Sequence, residues 1–331
     1  MNIILFIVIF LVASHVVMNL VAAPAVFYNT MYRNPKKERT RECTNTKDQS
    51  QTRMFAEGIA WSNQHKAVTE SLHIVNNGLN LYGEYINFGF DKCAVVLQGR
   101  TESLLYSYYF ADVYAKNGYN ILAVDVRAHG LSDGKYHTAG IKESDDLIAW
   151  IALINEKYNI TDFTLHGICV GGATAVYTYA KLKNKGNDWI KSIVTDGLFV
   201  SNYEIFKRNF KRFKQPAFPA LHLTFFLAFL LAKIRLFKET PMRYMKDIDI
   251  PMLFLWSEED RFCVKSKNEE LFCACASEDK ALCFFPQGRH SHVRSAQAAE
   301  YDEAVAAFLQ KSQSAGRAAR TVSGAGASAG E

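Results

Sequence analysis

The stretch Phe163-Thr-Leu-His-Gly167-Ile-Cys169-Val-Gly171-Gly172-Ala-Thr-Ala175 decides how the rest of the chain is read. A short apolar run passes through Gly-x-Cys-x-Gly into a segment of small helix formers beginning at Ala173. This is the strand, turn and helix context of a nucleophile elbow. The spacing has a steric cause: a nucleophile on a sharp, strained turn needs small residues two positions to either side, so that strand and helix approach closely. The helix N-terminus directs N–H groups and partial positive charge toward the sulfur, which favours thiolate. A small buried cysteine is the common fate of a free Cys. The whole five-residue pattern at a strand end instead marks Cys169 as the candidate nucleophile.

Outward from this turn, apolar strand-like runs alternate with helical stretches. An Asn77-Gly78 turn separates two alternating runs, a hairpin signal. The expected strands then follow at 93–98, 120–125, 163–166, 192–195, 252–256 and 282–285, with helices around 103–117, 141–157, 170–183, 264–275 and 296–310. Short continuous apolar strands alternating with helices imply an α/β protein with a mostly parallel sheet covered on both faces. One interval breaks the rhythm. Residues 200–249 hold no expected strand and include the apolar run Pro216 to Phe237, which reads as an inserted helical lid. Asn202 to Lys214 interleaves lysines and arginines with Phe206, Phe210 and Phe213, a pattern that suits either an anionic bilayer surface or a solvated helix face.

With these segments in place, the chain from about 70 to 310 resembles an α/β hydrolase, nearest the lysophospholipase, monoacylglycerol lipase and serine aminopeptidase branch. Val95-Val-Leu-Gln98-Gly99-Arg100-Thr101-Glu102-Ser103 is similar to the strand and oxyanion loop that in relatives usually reads His-Gly, with Gln98 in place of the His. Asp125-Val-Arg127-Ala-His129-Gly130-Leu-Ser132-Asp-Gly134 resembles the next loop, where Asp125, Arg127 and His129 are expected to shape the site. In this fold the acid and then the base follow the nucleophile in chain order. The resemblance therefore implies Asp260 as the acid, with Asp196 as the rival and Glu258 and Glu259 as near neighbours. It implies His290 as the base, with His292 as the alternative. The oxyanion donors implied are the backbone N–H groups of Arg100 and Val170. The branch carries Ser where Cys169 stands; a cysteine there looks like dienelactone hydrolase.

The 331 residues are 49% apolar, and Lys plus Arg exceed Asp plus Glu by only five, which argues against a disordered chain and against a nucleic-acid-binding protein. Ile3 to Val26 carries no charge and is long enough to cross a bilayer. Residues 1–28 are read as an uncleaved anchor, although Ala23-Pro-Ala25 offers small residues for cleavage. Arg33, Lys36, Lys37, Arg39 and Arg41 follow, so the positive-inside rule places the body in the cytoplasm. Residues 29–66 read as a spacer, 67–311 as the hydrolase body and 312–331 as a disordered tail. Seven cysteines, an odd number, fit a reduced compartment, and six look incidental. The C-terminal Cys and His residues lack ligand spacing, and no nucleotide fingerprint occurs, so neither metal nor cofactor is implied. The expectation is a membrane-anchored hydrolase of ester, thioester or lactone bonds in apolar acyl substrates, acting through Cys169, His290 and Asp260. The alternatives are an aminopeptidase-like enzyme, an acyltransferase, or a tethered binding or scaffold protein that has lost the chemistry. The oligomeric state is not legible.

Overall fold

The computed structural model describes residues 3–33, 41–43, 45–212, 214 and 216–326. Its strands are β1 (Thr69–Asn76), β2 (Leu79–Ile86), β3 (Cys93–Leu97), β4 (Asn120–Val124), β5 (Phe163–Ile168), β6 (Ile190–Asp196), β7 (Met252–Ser257) and β8 (Lys280–Phe285). Its main helices are α1 (Ile3–Met31), α2 (Gln49–Gln64), α3 (Glu143–Tyr158), α4 (Val170–Lys183), α5 (Asn202–Arg212), α6 (Ala220–Leu227), α7 (Lys265–Ala274) and α8 (Ala298–Gly326). The strands form one sheet in the order β1-β2-β4-β3-β5-β6-β7-β8. β2 runs antiparallel to β1 and β4, and the remaining pairs are parallel. The hairpin turn falls on Asn77 and Gly78, both with positive φ (51° and 75°), as a two-residue turn matching strand twist requires.

The central strands are buried on both faces, which explains their continuous apolar runs. Alternate residues of β3 join opposite cores. Cys93, Val95 and Leu97 pack with Trp150, Ile151 and Ile154 of α3. Ala94 and Val96 pack with Met54 and Trp61 of α2 and Tyr301 and Val305 of α8. The loop after β4 is pinned to α3 by Arg127, whose Nε and Nη2 each donate to Asp146 at 2.6 Å in a buried bidentate pair. Asp125 in the same loop accepts from the Leu104 and Leu131 N–H groups at 2.8 and 2.9 Å, so it holds backbone.

Three stretches differ from their sequence reading. The helix expected over 103–117 is broken into turns at Leu104–Ser107, Tyr108–Phe110 and Asp112–Lys116, because the run of aromatic residues there wedges into the core. The polar stretch 29–66 contains α2, which buries Met54 and Trp61, while Gly58 lies against the Leu105 carbonyl. α8 continues to Gly326 into the expected tail, where alanines and arginines are good helix formers. Residues 327–331, like Lys36, Lys37, Arg39 and Phe213, lie outside the described residues.

Between β6 and β7 the described chain is helical: α5, α6 with a wider-wound continuation through Ala232, and turns over Pro241–Asp247. α1 spans 29 residues and is long and apolar enough to cross a bilayer. Its first half is exposed, whereas near its end Ala23 is buried and Phe27 and Met31 pack with Phe206, Leu221 and Phe225 of the helical insertion. The Thr224 hydroxyl donates to the Ala23 carbonyl at 3.3 Å. Arg33, just past the helix, donates to the carbonyls of Ser132 and Gly130 at 2.6 Å each.

Candidate active site

β5 ends at Ile168 and α4 begins at Val170, so Cys169 alone makes the turn, with φ 53° and ψ −107°. Such a conformation is strained for any residue but glycine and persists only where its surroundings hold it. Here the Cys169 N–H donates to the Asp196 carbonyl on β6 at 2.8 Å. The flanking glycines have measurable causes. A Cβ on Gly167 would lie 2.2 Å from the Gly171 carbonyl carbon, and one on Gly171 would lie 2.3 Å from the Leu97 carbonyl oxygen of β3.

Asp260 and His290 meet at the ends of the next two strands. Asp260 sits in the loop after β7, where its Oδ1 accepts the N–H groups of Phe262 and Cys263 at 2.8 Å each. Its Oδ2 lies 2.7 Å from His290 Nδ1, so that nitrogen carries the proton and Nε2 is left for chemistry. Gly197 gives the ring room: a Cβ there would stand 3.0 Å from His290 Cε1. Burial alone would lower the His290 pKa, but Cys169, Cys263 and Asp260 around it outweigh burial and hold it well above the ordinary value.

Cys169, Val170, His290, Gly99 and Arg100 line one cavity of about 540 Å³. The loop after β3 that carries Gly99 and Arg100 is fixed from several sides. The Gly99 N–H donates to Glu102 Oε2 at 3.1 Å, and Glu102 Oε1 accepts from Gln51 of α2 at 2.9 Å. The Arg100 carbonyl lies 2.7 Å from His129 Nε2, so His129 steadies this loop. Gln98 is buried, with both amide atoms unpartnered among the described residues.

The rival residues are engaged elsewhere. Asp196 Oδ2 accepts from Tyr301 at 3.2 Å, and Tyr301 in turn meets His166 Nε2 at 3.0 Å. Burial pushes the Asp196 carboxyl up to about 7. His292 turns its Nδ1 to the His290 carbonyl at 2.8 Å, and Glu259 accepts the Gly288 N–H at 2.9 Å; the Glu258 N–H donates to the Phe285 carbonyl at 3.0 Å. Cys263 looks incidental in the sequence. It is buried beside His290, donates to the Gly197 carbonyl at 3.1 Å, and has its thiol pushed up to about 12 by burial. Nothing in its sequence context marks it, since only the loop after β7 brings it there. Asp260, Cys263 and His290 are the described residues that could hold a metal ion, with ligand atoms within 4.8 Å of one another. The Asp260 oxygens are already committed to His290 and two N–H groups, an arrangement suited to orienting an imidazole.

A family model described as the alpha/beta hydrolase fold matches residues 95–243, a span that holds Cys169 and the loop after β3. The chain has the α/β-hydrolase fold. This α/β hydrolase is 26% identical to the Bacillus subtilis protein YqkD over 216 residues, which cover 65% of this chain and 70% of that protein. Among solved structures it resembles the Pyrococcus furiosus esterase Pf2001, with a TM-score of 0.63 and 22% identity over 76% of this chain and 93% of that one. It also resembles an esterase from Exiguobacterium antarcticum, with a TM-score of 0.54 and 16% identity over 73% of this chain and all (100%) of that one. At these identities the likeness is one of fold.

Proposed function

We propose that this α/β hydrolase cleaves carboxylic ester bonds of apolar acyl substrates at a membrane surface, with Cys169 as nucleophile, His290 as base and Asp260 as the group that orients it. One observation carries the reading: a cysteine on a strained turn shares a cavity with an imidazole whose far nitrogen is bonded to a buried carboxylate. His290 Nε2 takes the Cys169 proton as the sulfur attacks the acyl carbon, and the oxyanion forms toward the Arg100 and Val170 N–H groups. Collapse breaks the bond to the leaving alcohol, which receives the proton from His290. A water deprotonated by His290 then attacks the thioester, and the acid leaves as the proton returns to sulfur. Each oxyanion donor of this kind lowers the barrier by about 3 to 4 kcal/mol.

The anchor reading draws support from Phe27 and Met31, which tie α1 into the helical insertion and give the helix a place in the folded body. Full-length protein assayed on p-nitrophenyl esters is expected to turn over, and Cys169→Ala to fall by more than about a thousandfold. Turnover that survives Cys169→Ala would remove the nucleophile assignment. Absence of turnover in wild type would favour a binding or scaffold role.

A further inference from the structure

A second cavity of about 570 Å³ lies beside the catalytic one, and its wall is the N-terminal helix. Met18, Ala22, Val26 and Asn29 line it. They recur every three or four residues and so share one helical face, next to the face on which Phe27 and Met31 pack against the helical insertion. The opposite wall is formed by Phe206 and Phe210 of α5 and Ala220 of α6. The two cavities share Thr30, Arg100, Phe206, Asn209 and Phe262. At this neck Arg100 Nη1 donates to the Thr30 carbonyl at 3.4 Å.

We infer that the second cavity is an acyl-chain chamber and that α1 delivers its ligand: a long-chain acyl ester enters sideways from the bilayer, along the helix that anchors the protein. The inference rests on the proposed ester hydrolysis. The size falls within the range of small-molecule pockets, which are mostly apolar with few polar groups. The direction of entry follows from what lies at the far end. Met18 is 50% exposed, and below it every large apolar side chain from Ile3 to Val17 is exposed. From Ile3 to Val21 the helix rises about 28 Å, close to the hydrocarbon thickness of roughly 30 Å. The rim of the insertion bears Phe218, Phe226, Phe229, Leu230 and Leu231, also exposed. Contiguous apolar surface of this kind marks a membrane or partner contact. A bilayer covering both would bring acyl chains to the mouth of the chamber.

The test uses full-length protein in phosphatidylcholine nanodiscs with p-nitrophenyl acetate and laurate. Ala22→Trp, which fills the chamber, should lower the laurate-to-acetate ratio of kcat/KM by at least about tenfold. Phe210→Ala, which enlarges it, should raise the ratio, and Val12→Trp on the exposed stretch should leave it as in wild type. Opposite shifts cannot come from misfolding. Binding of cis-parinaric acid, read by fluorescence, is measured on the same proteins and should be lost in Ala22→Trp. Turnover with an unchanged ratio in Ala22→Trp would overturn the chamber while sparing the hydrolysis. Parinarate binding that Ala22→Trp abolishes, without ester turnover in wild type, would sustain the chamber and refute the hydrolysis. Neither turnover nor binding in wild type would refute both.

Discussion

At the residue scale, two buried carboxylates near His290 do different work because their surroundings differ. Asp260 receives two backbone N–H groups and the imidazole. Asp260→Asn should present the wrong tautomer of His290 and reduce kcat by about 10⁴-fold while the cavity stays intact; an undiminished rate would return the role to another acid. Asp196 is buried with one oxygen unpartnered among the described residues, and its carboxyl is held at about 7 against an ordinary 3.8. A carboxyl raised on folding contributes stability at low pH and loses it as pH rises from 3.8 through about 7. Asp196→Asn should therefore gain melting temperature relative to wild type between pH 4 and 7 and hold a constant gap above that. A gap independent of pH would show that the acid does not titrate in the fold. For His290 the sign is the same: its raised pKa supplies stability below the ordinary 6.5 that is lost as pH rises through the folded value.

At the element scale, the junction of β3, β5 and α4 has no free space. The close approach of Gly171 to Leu97 positions Cys169 at the ends of the strands, beside the loop that carries Arg100. Gly171→Ala should destabilise the protein by about 3 kcal/mol, the upper end of the ordinary cost of overpacking, measured by chemical denaturation; a change within about 0.5 kcal/mol, the usual range for surface substitutions, would mean the strand and helix can part freely. The same junction explains what was legible here. A Gly-x-Cys-x-Gly turn between an apolar run and a small-residue helix is a local pattern, so its strand, its helix and the sharp turn at Cys169 follow from adjacent residues. The broken helix over Leu104–Lys116 was not legible, because its aromatic residues bend the chain to fit a core made by distant α2 and α8.

At the scale of the whole molecule, α1 belongs to two environments. Its first two thirds present apolar side chains outward, and its last turns are buried in the helical insertion. The protein should stay in the membrane pellet after an alkaline carbonate wash and keep residues 3–25 in peptide mass maps. A mature chain beginning after Ala25 would show the segment to be a signal peptide, and the inferred chamber would lose one wall. All seven cysteines are unpaired; under the cytoplasmic topology expected from the positive-inside rule, protease added outside intact cells should leave the body uncut.

The sequence alone determined what depends on neighbours along the chain: the hairpin at Asn77-Gly78, the buried parallel strands, the elbow at Cys169 and an apolar segment long enough for a bilayer. Tertiary structure decided what depends on residues far apart. It joined Asp260 rather than Asp196 to His290, because Asp196 faces Tyr301. It brought Cys263 against the same imidazole, buried α2 where the sequence reads polar, and placed the long apolar N-terminal helix against the cavity that holds Cys169. A helix shows its apolar length in its own residues. Which of its faces meets which cavity is set by partners some 200 positions away, as Thr224 on Ala23 is.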